Sequence, residues 1–78
     1  MIRAVLVGPP GGPWRLFRQP QWMAEVRRDP AAAGLPRHHF DIEESAFGEA
    51  LETLRRSDAG LDPFAVLDRL GAVAVVRP

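Results

Sequence analysis

Arg37-His38-His39-Phe40-Asp41-Ile42-Glu43, followed at once by Ser45 to Arg56, is the stretch on which the fold of this 78-residue chain turns. In an extended chain His38, Phe40 and Ile42 fall on one side and His39, Asp41 and Glu43 on the other, the pattern of a half-buried strand. Then the period changes. Phe47, Ala50, Leu51 and Leu54 recur at i, i+3, i+4 and i+7, a single apolar helical stripe. Glu43 and Glu44 lie at its start and Arg55 and Arg56 at its end, so both ends of the helix dipole meet the favourable charge. Ser45 is placed to cap it. Gly48 within the stripe costs about 1 kcal/mol against Ala, which points to a close approach of another backbone there. A strand handing over directly to an amphipathic helix implies a sheet with helices packed on it.

Working outward from this pair, the flanks add to both layers. Ile2 to Val7 is a β-branched run ended by Gly8, hence a strand, and Gly8 to Pro13 holds three Pro and three Gly, hence a loop. Trp14 to Arg18 reads as a second strand. A helix follows, with Pro20 in its first turn, Trp22, Met23 and Val26 at helical spacing, Arg27 and Arg28 at its end and Asp29-Pro30 stopping it. Ala31 to Pro36 reads as a linker. Downstream, Asp62-Pro63 pairs a capping carboxylate with Pro at the first helical position, and Gly71 is a natural left-handed stop. Ala72 to Val76 is apolar on both faces, as in a central strand covered on both sides. The expected order is β-β-α-β-α-α-β. The fold class is α/β or α+β: one small domain over residues 1–78, a two-layer sandwich with a mixed sheet of three or four strands.

Composition narrows the class of function. A chain this short hides only about 60% of its unfolded surface. Leu, Ile, Val and Phe number 21 of 78 residues, enough for a core. Ten Arg balance ten acidic residues and Lys is absent, a poor charge balance for bulk binding to nucleic acid or anionic membrane. Without Cys there is no disulfide scaffold, zinc ribbon, iron–sulfur site or thiol nucleophile. Met1 to Val7 is too short for a signal peptide and nothing approaches a span of about 20 apolar residues. A cytoplasmic protein with no membrane contact is expected, and the Ala, Gly, Pro and Arg richness suggests a GC-rich bacterial genome.

Three chemical readings present themselves. Val5 to Gly11 resembles the start of a phosphate-binding loop, but counting on from Gly8 the positions needing Gly-Lys-Ser/Thr hold Pro13, Trp14 and Arg15. His39, Asp41 and Glu43 would share a strand face and could hold a divalent cation, although any solvated strand alternates in this way. Hydroxyl nucleophiles are confined to Ser45, Thr53 and Ser57. No cofactor and no metal is therefore expected.

The most distinctive segment runs from Trp14 to Met23 and carries both tryptophans, Phe17, Arg15 and Arg18. Trp, Met and Arg are enriched in interface cores, whereas the plainer alternative is that both indoles fill a thin core. Residues 1–40 hold six Arg against two acids and residues 41–78 four Arg against eight, so the halves carry +4 and −4. The expected function is a non-enzymatic, protein-binding subunit of accessory, regulatory or inhibitory kind, itself a homodimer. Its partner-binding residues would be Trp14, Arg15, Phe17, Arg18, Trp22, Arg27 and Arg28. One alternative is a nucleic-acid-binding module using segment 14–28, with bases stacked on rings and Arg on phosphate. The other is a small oligomeric enzyme with His39, Asp41 and Glu43 near a subunit interface.

Overall fold

The switch from a two-residue to a 3.6-residue period is the one the chain makes. The computed structural model describes residues 1–8, 11–56 and 60–76. Among these the elements follow the expected order: β1 (Ile2–Val7), β2 (Arg15–Arg18), α1 (Gln19–Arg28), a 3-10 segment (Pro30–Gly34), β3 (Arg37–Ile42), α2 (Glu44–Arg56), α3 (Pro63–Arg69) and β4 (Val73–Ala74). Pro9-Pro10 of the expected loop, Ser57 and the closing Arg77-Pro78 lie outside the described residues. No described helix is long and apolar enough to cross a membrane.

The four strands form one sheet in the order β2-β1-β3-β4, a small α+β fold. Where a mixed sheet was expected, all three pairings are antiparallel. β2 and β3 do run the same way, as two strands joined by one helix must, but β1 lies between them and is antiparallel to both. The parallel relation thus exists without a parallel ladder. β1 pairs with β3 over six residues, from Ile2 opposite Ile42 to Val7 opposite Arg37, and Gly8 N–H extends the pair to the Pro36 carbonyl at 3.1 Å.

The central position belongs to β1 and β3, not to the C-terminal strand. Both sides of β1 are apolar and buried: Ala4 and Leu6 on one face, Val5 and Val7 on the other. β4 is a two-residue edge strand, with Val73 59% exposed. An uncharged run reads the same whether it is covered or merely small, and Ala72 and Ala74 offer too little area to hold the middle of the sheet.

Helices cover both faces, giving three layers rather than two. On one side α2 and α3 bring Phe47, Ala50 and Leu67 onto Ala4, Leu6, Leu16, Phe40 and Ile42. On the other, Trp22 of α1 and Ala32 of the 3-10 segment pack on Val5 and Val7, with Phe17 and Val26 beside them. Residues 31–36 are therefore more than a linker: Asp29 Oδ1 accepts from Ala31 N–H at 3.3 Å, and the turn inserts Ala32 into the second core. Ser45 lies inside α2, whose first turn closes from Phe47 N–H to the Glu43 carbonyl at 2.9 Å. Gly48 is exposed, and a methyl group there would meet nothing within 4 Å. Asp62 caps α3 as expected, accepting from Phe64 N–H at 3.0 Å, and Gly71 ends it at φ +82°.

Candidate functional site

α1 begins where β2 ends, and that junction sets the surface. Arg18 closes β2, and its backbone N–H donates to Gln21 Oε1 at 3.4 Å, a one-sided cap because Arg has no acceptor to return. With no loop to adjust its phase, α1 turns Trp22 and Val26 onto the sheet and leaves Met23 and Arg27 outward. Trp22 is only 5% exposed, whereas Met23 is 52% exposed.

Between α1 and β3 lies a groove of about 380 Å³. Trp22, Met23, Val26 and Ala33 make it apolar, Arg27 and Arg37 give it a basic rim, and His39 completes the lining. The acids nearby in sequence are already engaged. Glu25 pairs with Arg28, Asp41 accepts from Arg3 Nε at 2.8 Å, and Asp29 caps the 3-10 segment. Arg37 Nη1 donates to the Ala33 carbonyl at 2.9 Å, which orients the guanidinium without neutralising it. Among the described residues neither Arg27 nor Arg37 has a carboxylate partner. The result is an apolar trough with two guanidiniums that no carboxylate among the described residues matches.

The segment expected to form one contact face is split by its own geometry. In β2 alternate residues face opposite ways, so Trp14, Leu16 and Arg18 go with α2 and α3, and Phe17 goes with α1. Trp14 is half-buried over Gly8 and meets Phe64 edge-on at 5.3 Å between ring centroids, with His38 at 6.0 Å. Arg18 lies 4.6 Å from the Phe47 ring centroid and reaches Glu44 Oε2 at 2.7 Å. That hydrogen bond holds the Glu44 carboxyl below its ordinary range and pushes the Arg18 guanidinium up. Arg15 stacks on Phe17 at 4.8 Å, and Phe17 packs against Trp22 at 5.4 Å. Of the seven residues singled out, Trp22 and Arg27 reach the groove, Phe17 supports it, and Trp14 and Arg18 lie across the sheet. Arg15 is on the rim of a separate hollow with Trp14, and Arg28 is exposed beside Glu25.

Ala33 and Arg37 are groove residues that the linear reading assigned to no site, whereas Met23 and Val26 fell within the segment 14–28 weighed for nucleic acid and His39 within the triad weighed for a subunit interface. Two periodic signals carry all of these but Ala33: the α1 spacing and the β3 alternation that sets Arg37 beside His39. The triad weighed for a metal or for catalysis does not converge. Asp41 is held by Arg3, and Glu43 lies past the end of β3, 3.9 Å from the terminal amine. Among the described residues no group of three or more His, Asp or Glu is placed to hold a metal ion.

Compared with family models, curated proteins and solved structures, the chain matches none of them significantly.

Proposed function

We propose that the chain is a non-enzymatic protein-binding subunit, accessory, regulatory or inhibitory, working as a homodimer in a bacterial cytoplasm. The observation that carries this reading is the α1–β3 groove, with its apolar floor and with Arg27 and Arg37, neither of which has a carboxylate partner among the described residues. Arg meets carboxylates in directional forks, and an apolar floor beside such a fork suits a partner segment in which a carboxylate neighbours a large aliphatic side chain. Trp22 acts from below: it shapes and stiffens the trough, while Met23 and Arg27 make the outer contacts. Arg27 and Arg37 also raise the local potential, which speeds encounter with an acidic surface.

Amide and methyl NMR of the whole chain tests this with two synthetic peptides, one carrying Leu beside Glu and the other with Lys in place of Glu. The acidic peptide is expected to shift Met23, Arg27, Arg37 and the Trp22 indole, and Arg27→Glu is expected to weaken it about tenfold. Equal binding of the basic peptide, or shifts confined to other surfaces, overturns the reading. A single-stranded oligonucleotide that binds the groove with a steep salt dependence, when the acidic peptide does not, replaces it with nucleic-acid binding.

A further inference from the structure

The two edges of the sheet are built differently. β2, at one edge, carries Arg15 and Arg18 and is flanked by Pro13 and Pro20, which are features that discourage a further strand. β4, at the other, belongs to Ala72-Val73-Ala74-Val75-Val76, a run with neither charge nor proline. Val73 is 59% exposed and Val76 88%. Val75 N–H donates to the His39 carbonyl at 2.8 Å, so Val73 and Val75 turn their backbone groups to β3. By antiparallel alternation the N–H and C=O of Ala74 point away from the sheet. The outward N–H and C=O of Ala74, set between small apolar side chains, suit pairing with another extended strand.

From this we infer that β4 pairs with β4 of a second copy, antiparallel across a two-fold axis, joining two four-stranded sheets into one of eight strands. Charge selects the occupant. A two-fold contact sets a patch against itself, so the patch must not repel itself. The β4 run is itself neutral; in sequence Asp68 and Arg69, of opposite sign, come before it and a single Arg77 follows it. The groove face, with Arg27 and Arg37, would repel its own copy and is left for a different partner. Closure follows from the same asymmetry, because both outer edges of the doubled sheet are then β2, the guarded kind. The inference rests on the homodimer part of the proposed function and is independent of the groove.

Sedimentation of the full chain over a wide concentration range, with hydrogen exchange at Ala74, provides the test. The wild-type mass is expected to rise from one chain to two and level off, with the Ala74 amide gaining protection as it does. Ala74→Pro removes the outward donor without touching a bond to β3, and Val73→Lys puts a charge on an exposed edge position. Each is expected to weaken association about tenfold or more with the circular dichroism unchanged. Should the proline variant misfold, the lysine variant decides. Arg27→Glu is expected to dimerise as wild type does. A wild type that stays at one chain overturns both this pairing and the homodimer reading. A dimer indifferent to both edge variants, or growth beyond two copies, overturns the β4 pairing alone.

Discussion

At Gly8 the first strand ends under an indole. A Cβ there would lie 3.0 Å from Trp14 Cδ2 and Cε3 and 3.2 Å from the Pro13 carbonyl oxygen, so a side chain must push the ring aside. Gly8→Ala is expected to cost about 1–3 kcal/mol, read from urea unfolding, and to shift the fluorescence of Trp14. The Arg18–Glu44 pair makes a pH prediction whose sign is set by the lowered carboxyl. Its contribution is present above the ordinary Glu value of 4.5 and fades as pH falls through the lower folded-state value. Glu44→Gln should therefore shift the urea midpoint at neutral pH, and wild type and variant should converge in acid. The pair is solvent-exposed, so the shift is small. Asp62, Pro63 and Gly71 were legible at this scale because a cap and a stop are local chemistry, settled within three or four residues.

Elements are decided by period, and period is read well from sequence but its destination is not. The α2 stripe and the β3 alternation are where the spacing puts them. Gly48 tests the remainder: it sits in open solvent space on α2, so Gly48→Ala is expected to stabilise by about 0.5–1 kcal/mol in thermal unfolding. The segment from Trp14 to Met23 is richest in aromatics and Arg, yet a strand passing straight into a helix deals its side chains to both faces of the sheet. Its composition was visible in the sequence. That it serves two cores was not, because the faces exist only once β1 has paired with β2.

For the molecule as a whole, the opposite charges of its two halves are partly consumed within the chain. Arg3–Asp41 and Arg18–Glu44 each join the basic half to the acidic one. On the α1 side Arg27 and Arg37, which have no carboxylate partner among the described residues, line the groove. This separates stability from binding in a way that variants can show. Trp22→Ala empties the second core and is expected to cost about 3–5 kcal/mol in denaturant unfolding. Met23→Ala, at an exposed position on the same helix, is expected to change stability by no more than about 0.5 kcal/mol while weakening the acidic peptide in the NMR titration.

The amino-acid sequence alone determined the order of the strands and α-helices, the cap and stop of α3, and the imbalance of charge between the two halves. These are set by interactions among near neighbours, where backbone sterics and side-chain period leave few choices. Tertiary structure alone decided that β1 takes the centre, that helices cover both faces, and that Arg37 and His39 meet α1 across a trough. Those outcomes depend on which distant segments exclude water together. Several apolar runs compete for the same place, and the winner is the one with the larger area to bury.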